Sequence, residues 1–149
     1  MNNLMILVGV PGSGKSTYAQ NVVNYYHDNP PTVINQDTFN GNRELTWTAF
    51  QKAVKAGNDI ILDRCNINKQ QRNPFINQAI SYGYRIEVVY FQIEPEKAIE
   101  RVINRTGHKT IKEDTSREKV SEIVNSFHKS FEMPSLREGV QSLRLQKVE

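Results

Sequence analysis

The stretch Gly9-Val10-Pro11-Gly12-Ser13-Gly14-Lys15-Ser16-Thr17 carries most of the chemistry legible in this chain, with the spacing G-x-x-x-x-G-K-[ST] at every fixed position. A phosphate chain needs many short-range donors and close backbone approach, which Gly9, Gly12 and Gly14 permit where a side chain would collide. A helix starting at the end of the loop adds unpaired N–H groups and a positive dipole end. Lys15 then reaches the β- and γ-phosphates of ATP or another NTP, and the Ser16 hydroxyl coordinates Mg²⁺. Pro11 and Ser13 complete the cradle, and Thr17 serves packing or a second phosphate contact.

Two aspartates suit the same chemistry. Asp63 ends the apolar run Ile60-Ile61-Leu62 and can hold Mg²⁺ directly or through water. Its blander reading is a helix cap or a turn. Asp37 follows Thr32-Val33-Ile34-Asn35, where a carboxylate can take the proton of a hydroxyl attacking the γ-phosphate; an Asx turn is the structural alternative. Arg101 and Arg105, four apart on one helical face, are candidates to cover the transferring group, with Gly107 as a hinge. Ordinary solvated arginines would show the same spacing. His108 reads equally as a turn residue or a ligand contact. From Arg64 to Arg85 the chain holds Arg64, Lys69, Arg72 and Arg85 and no acid, so it lines a groove for a polyanion or forms the solvated face of a helix.

These residues need a frame. Leu4–Val8, Thr32–Asn35, Asp59–Asp63, Ile86–Phe91 and Val140–Leu145 read as strands. Between them lie helical stripes: Ala19, Val22, Val23 and Tyr26; Trp47, Phe50 and Val54; Phe75, Ile76, Ala79 and Ile80. Further stripes are Ala98, Ile99, Val102 and Ile103, then Val120, Ile123, Val124, Phe127 and Phe131. Strands alternating with helices specify an α/β domain with a mainly parallel sheet of about five strands and helices on both faces. Gly9, Asp37 and Asp63 all fall at or past strand C-termini, so one crevice collects them.

At 149 residues the chain reads as one domain, 1–149. Its single cysteine, Cys65, excludes an internal disulfide and a cysteine-based zinc cluster. The apolar run at Leu4–Val8 is far short of the roughly 20 residues that span a membrane, and a cytoplasmic protein is expected. A net charge of +3 decides little as a total.

In this order the motifs resemble the kinase domain of polynucleotide 5′-hydroxyl kinases, over nearly the whole chain. The resembling pieces are the glycine-rich loop, Ile34-Asn35-Gln36-Asp37, Asp63-Arg64-Cys65-Asn66, Arg101 through Gly107, and Phe131-Glu132-Met133-Pro134-Ser135-Leu136-Arg137-Glu138-Gly139. The resemblance implies a P-loop NTPase-type three-layer sandwich with a helical lid. It also implies Asp37 as general base on a 5′-hydroxyl, Arg105 as the lid arginine, and Asp63 and Asn66 as support near the acceptor. Arg43, Arg64 and Arg72 are the candidate acceptor contacts. Such kinases carry an arginine three residues after the aspartate, where this chain has Asn40; Arg43 lies one helical turn further.

The expected function is Mg²⁺-dependent transfer of an NTP γ-phosphate to the 5′-hydroxyl end of RNA or DNA. The alternative keeps the chemistry and takes a small-molecule hydroxyl, that of a nucleoside, sugar or nucleotide-sugar, as in zeta-toxin-like enzymes. A nucleotide-dependent switch without transfer is the third reading.

Overall fold

A strand buried on both faces of a sheet has to be apolar where it is buried, and β1 (Asn3–Val8) follows that rule after its exposed first residue: Leu4, Ile6, Leu7 and Val8 are fully buried. The computed structural model describes residues 2–104 and 116–149. The five strands are β1, β2 (Thr32–Asn35), β3 (Ile60–Asp63), β4 (Arg85–Gln92) and β5 (Ser142–Lys147), in the order β2-β3-β1-β4-β5. Every neighbouring pair is parallel. Parallel neighbours need crossovers, supplied by α1 (Lys15–Tyr25), α2 (Arg43–Lys55), α3 (Lys69–Ser81), and the pair α4 (Pro95–Asn104) and α5 (Arg117–Ser130).

The period-two alternation of the strands sorts the core into layers. Leu4, Ile6 and Val8 pack with Ile60, Leu62, Ile86 and Val88 against α2 and α3 through Phe50, Val54, Phe75 and Ile76. Leu7, Ile61, Val89 and Phe91 face α1 through Ala19 on the other side. A third cluster joins α4 and α5 through Ala98, Ile99, Val102, Val120 and Val124, and reaches the loop after β1 through Val10. The fold is therefore the expected three-layer P-loop NTPase-type arrangement, with an all-parallel sheet.

Local caps fix where the helices begin. Asn42 and Asn68 accept from the backbone N–H of Leu45 and Gln71, three residues on in each case, and Ser116 does the same for Lys119. The last strand starts later than expected. Val140 is buried ahead of it, Gln141 donates its backbone N–H to Ile86, and the ladder runs from Ser142 to Lys147. Among the described residues no helix is long and apolar enough to cross a membrane.

The aromatic contact beneath the sheet is a sensitive point. Phe50 is fully buried, 5.8 Å from Trp47 and 4.8 Å from Phe75 between ring centroids. Phe50→Ala is expected to lower unfolding free energy by about 3–5 kcal/mol, measured by urea denaturation.

Candidate active site

The chain leaves β1 through a loop that has no room for a side chain at Gly9 or Gly12. A Cβ on Gly9 would lie 2.6 Å from Ser13 Oγ and 3.2 Å from Phe91 Cβ. Gly12 sits at φ +82°, and a Cβ there would meet the Ala98 carbonyl oxygen at 2.7 Å. Gly14, in the left-handed region, caps α1, so the first N–H groups of that helix open into the loop. Lys15 Nζ donates to the carbonyl of Val10 at 3.0 Å and lies 3.4 Å from Ser13 Oγ. Arg101 Nη1 donates to the carbonyl of Gly12 at 3.1 Å, which ties α4 to the loop.

Strand register brings the acidic residues in from the neighbouring strands. Asn35 pairs with Asp63 across β2 and β3, and Leu7 with Asp63 across β1 and β3. Ser16 Oγ donates to Asp63 Oδ2 at 2.8 Å, and Asn35 Nδ2 donates to the same oxygen at 3.0 Å. Asp37 follows in a 3-10 turn, Gln36–Phe39, whose cap is Asn35 Oδ1 accepting from the Asp37 N–H at 2.8 Å. That turn ends on Asn40 at φ +54°, a backbone conformation that asparagine tolerates well and arginine poorly. Arg43, on the first turn of α2, lines the same cleft.

These groups line one cleft of 400 Å³, which holds Gly12, Lys15, Ser16, Asp37, Asp63, Arg43 and Arg64. Arg64 Nε donates to Gln36 Oε1 at 2.7 Å, and its guanidinium lies 4.8 Å from the centroid of the Phe75 ring. Burial, and then the charge of Arg43, lower the Arg64 pKa to about 10, so it stays cationic at neutral pH. A second cleft of 680 Å³ lies on the other side of the loop, between Thr17, Tyr18, Asn21, Arg101, Asn104 and the chain end Gln146–Glu149. Gly12 and Gly14 border both clefts.

Several expected contacts belong elsewhere. Arg72 does not face the cleft: it is fully buried and paired with Glu138, because α3 turns it inward. Asn66 is also fully buried; its side chain donates to the carbonyl of Leu7 at 2.8 Å, so it braces the fold rather than meeting an acceptor. Lys69 is exposed at the start of α3 and lies outside the cleft lining, while Arg85 begins β4 at the opposite end of the sheet. The acid-free segment thus forms no continuous groove. Arg105, Gly107 and His108 lie outside the described residues. Asn35 and Gln36 emerge as site residues that their types alone did not flag, since only strand register shows what they touch. Ile123 and Phe127 of α5 also line the cleft, although their i, i+4 spacing reads simply as core.

Residues 4–134 match the family model AAA_33, described as an AAA domain. The chain belongs to this family. It is 29% identical over 140 residues to the transcription factor bHLH140 of Arabidopsis thaliana, covering 91% of this chain and 15% of that protein. It is 28% identical over 138 residues to a bifunctional polynucleotide phosphatase/kinase of Schizosaccharomyces pombe, covering 91% of this chain and 31% of that one. The chain therefore spans less than a third of either relative. Among solved structures, Chaetomium thermophilum Kti12 in complex with ADP-AlF3 superposes with a TM-score of 0.71 at 21% identity, over 98% of this chain and 89% of that chain. Membership of a P-loop kinase-like family implies nucleotide binding.

The residues present suit Mg²⁺. Ser16 Oγ and Asp63 Oδ2 offer a hydroxyl and a carboxylate oxygen side by side, hard ligands of the kind Mg²⁺ takes alongside phosphate oxygens and water. Among the described residues no group of three or more His, Cys, Asp or Glu could hold a metal ion. Burial raises the Asp63 pKa, against the opposing hydrogen bond from Ser16 and the charge of Lys15. A carboxyl with a raised folded-state pKa favours its neutral form, so ionising it costs stability as pH rises through that value. Asp63→Asn is therefore expected to melt above the wild type at neutral pH. The gain should vanish below about pH 4, where the wild-type carboxyl is protonated both folded and unfolded. Thermal melts across pH check this, and Mg²⁺-dependent nucleotide binding should be lost in the same variant.

Proposed function

We propose that this protein transfers the γ-phosphoryl group of ATP or another NTP to the 5′-hydroxyl end of RNA or DNA. The observation that carries the reading is the pair Arg43 and Arg64 beside Asp37. Two guanidinium groups near enough to oppose one another's charge share one cleft with the phosphate loop, and among the described residues neither has a carboxylate partner within salt-bridge distance. Such a wall favours an acceptor that brings its own phosphates. The polynucleotide kinase named among the relatives supports the same class of acceptor.

In this reading the donor's nucleoside occupies the second cleft, and its phosphates pass over the loop towards Lys15. Asp37 takes the proton as the acceptor oxygen bonds to the γ-phosphorus and the bridging bond to the β-phosphate breaks, leaving the nucleoside diphosphate. Lys15 and the N–H groups at the start of α1 hold the phosphate oxygens. Arg101 and Arg105 balance the charge that spreads over the transferring group. Ser16 and Asp63 would hold Mg²⁺, which would supply neutralisation of phosphate charge.

Labelled ATP with 5′-hydroxyl oligonucleotides tests the reading. Asp37→Asn should lower kcat at least ~100-fold while nucleotide affinity stays unchanged. Replacing Arg43 and Arg64 by alanine should raise the oligonucleotide KM and flatten its dependence on salt by about two phosphate contacts. Efficient phosphorylation of neutral sugars or nucleosides, with oligonucleotides inert at every salt concentration, would instead favour a small-molecule acceptor.

A further inference from the structure

Arg72 and Glu138 form the one ion pair among the described residues that is out of water at both ends, with side chains 0% and 5% exposed. Arg72 Nε donates to Glu138 Oε1 at 2.9 Å, and Nη2 lies 3.3 Å from Oε2. The remaining fork reaches two carbonyls: Nη1 donates to Asn66 at 2.8 Å, and Nη2 to Glu132 at 3.0 Å. A buried pair by itself is weak evidence of a gain in stability, since an apolar pair of similar volume often does as well. What an apolar pair cannot do is fix two carbonyls from distant segments in one plane.

The Asn66 carbonyl belongs to a left-handed turn. Asn66 holds φ +50° with its side chain fully buried. Its amide donates to the carbonyls of Leu7 and Arg64, at 2.8 and 3.2 Å, and its Oδ1 lies 3.4 Å from Arg64 Nη1. Between them, the Cys65 carbonyl accepts the Gly9 N–H at 3.0 Å. One turn therefore touches the last residues of β1, the start of the phosphate loop and the guanidinium offered to the acceptor.

We propose that Arg72 is a positioning residue for the acceptor side of the cleft: anchored by Glu138, it holds the Arg64–Asn66 turn in the conformation that presents Arg64. The consequence for turnover rests on the kinase reading above, whereas the consequence for the turn does not. Lysine in place of Arg72 keeps a charge for Glu138 but cannot span Glu138 and both carbonyls. Glu138→Gln has the opposite effect, removing the ion pair while leaving the Arg72 bond to Asn66.

Cys65, the only cysteine of the chain, sits inside the turn and reports on it directly. The test compares the wild type, Arg72→Lys, Glu138→Gln and Asn66→Gly, each well below its melting temperature, by the rate at which a disulfide reagent modifies Cys65 and by steady-state kinetics. Arg72→Lys should speed modification about tenfold and raise the oligonucleotide KM about tenfold, with the ATP KM within about threefold of wild type. Glu138→Gln should change both readouts less, even where it melts lower. Asn66→Gly keeps the left-handed backbone but cuts the ties to Leu7 and Arg64; it should also speed modification, and it decides the matter if Arg72→Lys does not fold. Modification rates equal to wild type in both, or effects that simply follow melting temperature, overturn the proposal. A wild-type protein that phosphorylates no oligonucleotide overturns the kinase reading instead, and the Cys65 rates still decide this one.

Discussion

A parallel strand cannot return by a hairpin, so each strand here is reached by a crossover and all five point their C-termini at the same edge of the sheet. The central strands β1, β3 and β4 are covered on both faces, by α1 on one side and by α2 and α3 on the other, and are accordingly apolar over most of their length. Polar chemistry has one place left, the edge where strands end and helices begin. The phosphate loop leaves β1 there, Asp37 follows β2, and Asp63 closes β3. Backbone N–H groups at the start of α1 open towards the same place.

That edge is arranged as a charge balance. Asp63 is a carboxylate kept nearly out of water, tied to Ser16 and Asn35 and near Lys15, with burial working against its ionisation. A protein optimised only for stability would not place it there; the cost makes sense where a cation and phosphate oxygens complete the site. On the other wall Arg43 and Arg64 lie close enough for one to depress the pKa of the other, and the Phe75 ring supports the Arg64 guanidinium. Two guanidinium groups this close beside a phosphate loop are a mild strain on the free protein and a ready attraction for an anionic ligand.

Precision in such a site comes from what lies behind it. Arg64 is gripped by Gln36 on one side and lies close to Asn66 on the other, and Asn66 in turn is bound to β1 and to Arg72. The arginine that looks like a surface cation in the sequence is thus a buried brace. The segment after α5 joins the same network: Glu138 closes the ion pair, and the Glu132 backbone bonds both Ile67 and Arg72.

The sequence by itself determined the phosphate loop, the α/β class and the placement of Asp37 and Asp63 at strand ends. Each of these is written in contiguous residues: a loop motif whose donors come from its own backbone, and apolar runs that must be strands if both faces are covered. Only the tertiary structure decided the rest. Whether Arg72 meets solvent or Glu138 depends on a segment 66 residues away. That Asn35 shares the Asp63 carboxylate depends on the register of β2 against β3, and that Arg85 lies far from the loop depends on which end of β4 it starts. Burial and register belong to what packs against a residue, and no local pattern of residue types contains them.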